Sequence, residues 1–375
     1  MDKMEQIEDS RSFAEVVVHT VLISQAMVLS LLGNSLFCLA FYRNRRLRTI
    51  TNIYLLSLAM ADLTVATFVF PSVLLASGLR RWPFSHGFCK FTGLLTTFWA
   101  EFSLLILAIT AINRYFCVVK PQRYASLFTR KNSIISISWV WIILCIFYVI
   151  FHDVVYIIYK WQPEDLYCRG TYGWWRFHKM FQVTFACLNF GSTSMVFFAY
   201  GTILLLVRRH NNAVLPSLQG SRNFQGTFRV HEMKAFRISF AAVFSFCVSW
   251  IPAGVLIILE YGFAVSIPST ARSIPFLFAS TSAWINPVIY GVMNRAMHRE
   301  YRNIIFCRKE NWLFKLGWVS TLTVSFFSVS FPFSRKKIAD CKGDGHAFCR
   351  FSICCYLFFV CLLVCLSLLW HKRSG

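Results

Sequence analysis

The sequence predicts an all-α membrane protein, a seven-transmembrane helix bundle with a short amphipathic eighth helix. Of its 375 residues, 57% are hydrophobic and only 14% are charged, against roughly 25% charged residues in an ordinary soluble domain. Before residue 300 the chain contains seven apolar runs, each long enough to supply the about 20 helical residues that cross a bilayer. Because a helix satisfies its own backbone hydrogen bonds in lipid, we expect each run to form one transmembrane helix.

The seven runs define the main domain, residues 16–293. They lie at approximately 16–42, 51–78, 89–118, 134–159, 178–207, 233–261 and 270–293. Residues 1–15 carry five acidic side chains, and the run that follows is longer than the core of a secretory signal. We therefore expect a retained first span preceded by an extracellular N-terminus.

Lysine and arginine are distributed unevenly between the two sets of connections. The first, third and fifth connections carry four each and the segment after the seventh run adds five, whereas the opposite connections carry seven in all. Since basic residues concentrate on the cytoplasmic side, a multi-pass plasma-membrane protein with its N-terminus outside is expected. The net charge of +22 thus belongs mainly to inner connections, and nucleic-acid binding, which needs a basic face on a soluble module, is not expected.

Asp62 is the clearest ionisable residue inside a span. It lies in the middle of the second run, and Asn34 and Asn286 are the polar residues expected to share its site. Ionisable side chains in transmembrane segments usually face the bundle interior and mark functional sites. A hydrogen-bonded packing core is the alternative that these residues leave open.

Eight short motifs occur in the order in which one receptor family places them. They are Gly33-Asn34; Leu58-Ala59-Met60-Ala61-Asp62; Trp82 before Cys89; Asn113-Arg114-Tyr115; Trp141; Tyr200; Phe246 with Trp250-Ile251-Pro252; and Asn286-Pro287-Val288-Ile289-Tyr290. On these motifs, residues 16 to about 307 resemble a rhodopsin-like (class A) G-protein-coupled receptor. No single motif is specific, but their shared order carries the resemblance.

The resemblance implies roles in G-protein coupling and activation. The residues concerned are Arg114, Tyr115, Asn113, Glu232, Tyr200, Phe246, Trp250, Pro252, Asn286, Pro287 and Tyr290. Arg114 would contact the G protein, and an ion pair with Glu232 would hold the inactive state; a solvated Glu232 is the alternative. Pro252 bends the sixth span because proline removes one backbone hydrogen bond.

The resemblance also implies an allosteric sodium site and a disulfide. Asp62, Ser103, Asn34 and Asn286 would supply the oxygen ligands of the ion, which suits a hard cation. No other cofactor is expected. Cys89 and Cys168 occupy the positions that the family joins by a disulfide.

Alignment on Arg114 places a ligand pocket in the outer half of the bundle. Its expected lining is Thr96, Thr97, Ala100, Glu101, Ala253, Ile257, Phe276 and Ser280. Thr96 occupies the position at which amine receptors carry an acid, so a typical biogenic amine is not expected. Glu101 is either neutral and bonded to Asn189 or the counter-ion of a cationic ligand; burial favours the neutral form. Melatonin receptors share the Asn-Arg-Tyr motif, which leaves a melatonin-like ligand open.

The chain after the seventh run divides into two parts. Residues 294–309 show helical periodicity with basic residues off the apolar stripe, which predicts an amphipathic helix on anionic lipid. Cys307 is a candidate palmitoylation site, with an unmodified thiol as the alternative. Residues 310–375 form an atypical hydrophobic tail rich in cysteine and phenylalanine, and either one extra anchor at 348–370 or coding past a normal stop would explain it.

The leading function is a receptor that binds an extracellular ligand and activates a heterotrimeric G protein by outward movement of the sixth span. A non-signalling protein with a receptor fold is the alternative, because Asn113 replaces the usual acid. A transporter or channel would need internal repeats of the kind such folds carry, and none is visible. Enzyme chemistry is not expected, since no triad, phosphate-binding loop or metal-ligand spacing occurs in the soluble stretches.

Overall fold

The computed structural model describes residues 9–155, 157–172, 175–214, 225–263 and 265–306. Seven helices in these residues are long and apolar enough to cross a membrane. They are α1 (Phe13–Arg43), α2 (Ile50–Leu79), α3 (His86–Val119), α5 (Arg130–Val155), α6 (Trp175–Val214), α7 (Gln225–Ile257) and α9 (Ile274–Met293). The predicted helical bundle is confirmed.

Shorter elements connect these helices. They are a 3₁₀ turn (Arg45–Leu47), α4 (Pro121–Leu127), the strands β1 (Ile157–Gln162) and β2 (Tyr167–Tyr172), a π-helical turn (Ile258–Gly262), α8 (Ser269–Arg272) and α10 (Arg295–Ile305). The strands form an antiparallel hairpin in which Trp161 pairs with Cys168. The fourth run is predicted to span residues 134–159, but its helix ends at Val155 and the last residues belong to β1. These residues are apolar because β1 packs on α3, and apolar composition alone does not distinguish such a strand from the end of a membrane span.

Side-chain caps set the first turns of three helices. The Ser12 hydroxyl accepts a hydrogen bond from the backbone of Glu15, and the Glu15 carboxylate accepts one from the backbone of Ser12. At the starts of α2 and α3, the hydroxyls of Thr49 and Ser85 accept single hydrogen bonds from the backbone of Asn52 and Phe88. Such caps satisfy amide groups that a helix leaves unpaired at its start, so the connections end where these residues occur.

Two glycines allow close approach between elements. A Cβ on Gly33 would lie 2.8 Å from Cγ of Pro287, so α1 and α9 meet there. A Cβ on Gly93 would lie 2.4 Å from both the Cys168 carbonyl oxygen and the Tyr159 ring. The hairpin thus rests on α3 at a position where any larger residue would displace it.

The amphipathic helix α10 is attached to the end of the bundle opposite the N-terminal segment. Met297 on its apolar face is fully buried. Glu300 pairs with Arg43 at 3.4 Å and accepts a hydrogen bond from Asn44 at 3.3 Å. Cys307 and the 310–375 tail lie outside the described residues, so palmitoylation and the extra anchor stay predictions.

Candidate functional site

The disulfide between Cys89 and Cys168 fixes the hairpin over one end of the bundle. The two Cα atoms lie 5.5 Å apart, within the usual range for a disulfide. Trp161 of β1 stacks on Trp82 with ring centroids 5.4 Å apart. The predicted disulfide is confirmed, and it joins the first turn of α3 to β2.

Phe276, one of the residues expected to line the ligand pocket, contacts this hairpin. Tyr167 of β2 stacks on Phe276 with centroids 6.0 Å apart, and Phe70 meets the Phe276 ring edge-on at 6.3 Å. Thr96 and Thr97 donate their hydroxyl hydrogens to backbone carbonyls of α3. Their polarity is therefore largely satisfied within the helix, so a pocket wall formed by these two residues would be close to neutral.

Glu101 is the polar exception in this wall. Its side chain is buried, and Oε1 accepts a 2.6 Å hydrogen bond from Nδ2 of Asn189 on α6. Oε2 of Glu101 is buried without a hydrogen-bond partner. The contact with Asn189 that one alternative required is present, while the second oxygen stays available to a ligand.

The other expected pocket residues are less informative. Ser280 donates to the carbonyl of Leu277 at 2.7 Å. Ala100 and Ala253 are half-buried. The side chain of Ile257 lies outside the described residues, so its place in the pocket stays a prediction.

A network of charges, which the sequence analysis missed, joins the hairpin to the π-helical turn that follows α7 and to α8. Arg169 contacts Asp165 at 3.1 Å and Glu260 at 3.8 Å. Arg272 contacts Glu260 at 3.5 Å and Glu164 at 3.6 Å. Burial raises the pKa of Asp165 above its usual value despite the neighbouring Arg169. Alternating signs in the sequence could have suggested such pairs, but only contact between elements identifies them.

Three of the four residues expected to bind sodium each carry a buried oxygen atom without a hydrogen-bond partner. These atoms are Oδ2 of Asp62, Oγ of Ser103 and Oδ1 of Asn286. A carboxylate, a hydroxyl and an amide oxygen are the donor types that a hard cation prefers. The residues present therefore suit the implied sodium ion.

Asn34, the fourth expected ligand, has another contact. Its Nδ2 donates to the carbonyl of Ala283 at 2.8 Å and to that of Ser30 at 3.0 Å. The amide of Asn34 thus ties α1 to α9. Whether its oxygen also binds an ion stays a prediction.

Trp99 is the residue of this site that the sequence analysis overlooked. Its indole Nε1 donates a 2.8 Å hydrogen bond to Oδ1 of Asp62. Its ring lies 5.8 Å from that of Trp250, which in turn lies 5.7 Å from Phe246. Both Trp250 and Phe246 lie just before Pro252 in α7. In the sequence, Trp99 is one aromatic residue among many in an apolar run. Its contact with Asp62 depends on how α3 is rotated about its axis, which only the structure shows.

At the opposite end of the bundle, Arg114 is buried and hydrogen-bonded. Its Nη2 donates to Oδ1 of Asn113 at 2.6 Å, and its Nε donates to the same oxygen at 3.2 Å. Nη2 also donates to the hydroxyl of Thr51 at the start of α2. The side chain of Glu232 lies outside the described residues, so the Arg114–Glu232 ion pair stays a prediction.

The three tyrosines expected to act in coupling pack on aromatic neighbours. The ring centroid of Tyr200 lies 5.5 Å from that of Phe236 and 5.6 Å from that of Phe240, both on α7. The ring centroids of Tyr290 and Phe37 of α1 lie 5.4 Å apart, and those of Tyr115 and Phe198 of α6 lie 5.7 Å apart. The hydroxyls of Tyr200 and Tyr290 are buried without a hydrogen-bond partner, so both oxygens are available to other groups after a rearrangement.

Comparisons with known proteins agree with this architecture. The profile of the family described as "7 transmembrane receptor (rhodopsin family)" matches residues 33–290. A melatonin receptor type 1A of Gallus gallus is 28% identical over 79% of this chain and 81% of its own length. Neuropeptide FF receptor 2 of Mus musculus is 26% identical over 76% of this chain and 71% of its own. The crystal structure of squid rhodopsin superposes with a TM-score of 0.68 at 21% identity, covering 86% of this chain and 94% of that one.

Proposed function

The chain belongs to the rhodopsin family of seven-transmembrane receptors, and from this premise we propose that it binds an extracellular ligand and activates a heterotrimeric G protein. It is a multi-pass membrane protein, and we place it in the plasma membrane with the N-terminus outside. The basic connections and the basic face of α10 support this orientation, because they would then face the anionic inner leaflet.

The observation that carries the proposal is the environment of Arg114. An arginine at the cytoplasmic end of α3 is 5% exposed and bonded to Asn113 and Thr51. Burying a charge is costly unless hydrogen bonds satisfy it. A guanidinium kept in this way is available to the G protein once α7 moves outward and opens its surroundings.

The route from the pocket to Arg114 runs through α7. Ligand contacts at the pocket wall would change the packing at Trp250, and the bend at Pro252 lets the inner half of α7 swing. A ligand that prefers the outward-swung state raises the fraction of receptors in that state. Tyr200 and Tyr290, whose hydroxyls lack partners, would then become partners of the released Arg114.

The pocket favours a ligand without a strong positive charge. The hydroxyls of Thr96 and Thr97 are bonded to the backbone, and Glu101 is bonded to Asn189. The names of two relatives indicate melatonin and neuropeptide FF as ligands of those proteins. We propose a neutral, melatonin-like compound as the first class to test, with the peptide as the second.

We further propose that a sodium ion binds at Asp62, Ser103 and Asn286. Their unpaired oxygens would hold it, and the ion would neutralise charge that is otherwise buried among α2, α3 and α9.

Arg43 and Glu300 anchor α10 at the end of the bundle opposite the N-terminal segment. There α10 would lie on the inner membrane surface, with Cys307 as the proposed lipid attachment site.

The test is Arg114→Ala measured by GTPγS binding in membranes. We expect at least a tenfold loss of ligand-dependent or basal exchange at unchanged surface expression, because the arginine contacts the G protein directly. Arg46→Ala, which removes an exposed arginine from the first connection, serves as the matched control. Coupling retained in Arg114→Ala contradicts the proposal, and exchange absent from the unaltered receptor across all G-protein classes supports the non-signalling alternative.

A further inference from the structure

Trp99 lies between two sites that belong to different steps of activation. Its indole Nε1 is 2.8 Å from Oδ1 of Asp62, and its ring centroid is 5.8 Å from that of Trp250. Trp99 is only 4% exposed. We propose that Trp99 is a positioning residue that couples occupancy of the Asp62 site to the bend of α7.

The hydrogen bond from Trp99 engages only one of the two carboxylate oxygens of Asp62. Oδ1 accepts from the indole, while Oδ2 is buried and unpaired, as are Oγ of Ser103 and Oδ1 of Asn286. A cation held by those unpaired oxygens shares the carboxylate with the indole N–H. Because the indole N–H and the cation draw on the negative charge of the same carboxylate, each weakens the other's hold on Asp62, and the bond from Trp99 responds to whether the cation is present.

The ring contact carries that response to α7. Trp99 and Trp250 meet at an interplanar angle of 56°, and Phe246 continues the contact at 5.7 Å. Protein interiors are packed as densely as organic crystals, so a buried indole that shifts must displace its neighbours. Trp250 is two residues from Pro252, where α7 has lost a backbone hydrogen bond and bends most easily.

The two contacts of Trp99 are separable by mutation. Trp99→Phe keeps an aromatic ring against Trp250 and removes the N–H donor, whereas Trp99→Leu removes both. Trp99→Met is a second variant without a ring, because its flexible side chain fills irregular space. Trp141→Phe is the matched control, since it removes an indole N–H from a tryptophan that packs on Phe98 and Phe102.

The first experiment measures the thermal unfolding midpoint of the purified receptor against NaCl, with N-methylglucamine chloride keeping the ionic strength constant. It is run in mildly alkaline buffer, where protons compete least for Asp62. We expect the NaCl concentration for half-maximal stabilisation to fall about tenfold in Trp99→Phe, the effect of releasing one charge-assisted hydrogen bond. Trp141→Phe should match the unaltered receptor. No sodium response in the unaltered receptor, or equal midpoints in the two Phe variants, overturns the inference.

The second experiment measures hydrogen–deuterium exchange at residues 246–252 with and without NaCl. We expect sodium to slow exchange in the unaltered receptor and in Trp99→Phe, but not in Trp99→Leu or Trp99→Met, which should still be stabilised by sodium. Sodium control of exchange that persists without a ring at position 99 overturns the coupling.

This inference rests on the sodium site proposed above, and it rests on the proposed signalling function only for its signalling consequence. Sodium should lower basal GTPγS binding in the unaltered receptor and lose that effect in Trp99→Leu. If GTPγS binding is absent throughout while both sodium responses follow the pattern above, the proposed function fails and the role of Trp99 stands.

Discussion

Asn113 and Thr51 hold the guanidinium of Arg114 with neutral oxygens. Thr51 Oγ1 also donates to Oδ1 of Asn113 at 3.3 Å, so the three side chains form one small network. Neutral acceptors bind a guanidinium less strongly than a carboxylate would. This residue-scale arrangement should make Arg114 easier to release than an aspartate at position 113 would.

Thr51→Val tests the network at single-residue level. Valine keeps the shape of threonine but cannot accept from Arg114, so we expect basal GTPγS binding to rise. A hydrogen bond to a charged group contributes about 1.5 kcal/mol, which corresponds to a rise of about tenfold. Thr67→Val is the control, because the Thr67 hydroxyl is exposed and bonded within its own helix. Equal basal binding in both variants would count against the network.

Glu101 offers a second residue-scale test. Glu101→Gln keeps an acceptor for the Asn189 amide, so we expect an unchanged unfolding midpoint. Glu101→Leu removes the acceptor of the 2.6 Å hydrogen bond from that amide, and we expect a cost of about 1–3 kcal/mol, seen as a midpoint several degrees lower. If Glu101→Gln destabilises the receptor as much as Glu101→Leu does, the carboxylate charge itself matters. That result would support the alternative in which Glu101 is the counter-ion of a cationic ligand.

At the scale of elements, the N-terminal segment and the hairpin form a cover over one end of the bundle. Asp9 and Arg11 form a nearly fully buried ion pair at 2.7 Å, and Ser10 donates to Glu164 beside the hairpin turn at 3.3 Å. Burial alone would raise the pKa of Asp9, but its bonds to Arg11 hold that pKa below the usual value of 3.8. The pair therefore stabilises the cover at neutral pH, and its contribution is lost as the pH falls through this lowered pKa.

Asp9→Asn should loosen this cover. Without the carboxylate, Arg11 loses its charged partner, and we expect trypsin to cleave after Arg11 several-fold faster in the purified receptor at neutral pH. Asp165→Asn, which neutralises another arginine-paired carboxylate in the hairpin turn, should leave that cleavage rate unchanged. The same acceleration in both variants would show general loosening and contradict a specific role for Asp9.

At the scale of the molecule, α3 connects the sites. It carries Cys89 at one end, Trp99 and Ser103 at the level of Asp62, and Arg114 near the other end. Large apolar side chains that remain exposed, such as Trp139, Phe197 and Ile251, belong on the lipid-facing surface of a transmembrane bundle. A single rigid helix thus spans the distance between the proposed ligand and G-protein sites.

The orientation proposed for the whole molecule is testable by epitope accessibility. An epitope at the N-terminus should be labelled by antibody on intact cells, whereas one inserted between 215 and 224 should require permeabilisation, because basic connections stay in the cytoplasm. Immunofluorescence of both tagged receptors in parallel makes each the control of the other. Labelling of the second epitope on intact cells would reverse the topology.

The family resemblance implied the disulfide between Cys89 and Cys168 and the bend at Pro252. The number of membrane-spanning helices and the conspicuous positions of Asp62 and Arg114 follow from the sequence alone, because a bilayer requires about 20 apolar helical residues per span and makes each ionisable residue within a span stand out. Only the tertiary structure identified Trp99 as a partner of Asp62, Thr51 as a partner of Arg114, and the ion pairs that link the hairpin to the π-helical turn and to α8. Those contacts join residues far apart in the chain, and they depend on how each helix is rotated about its axis and placed along its neighbours, which apolar composition does not encode.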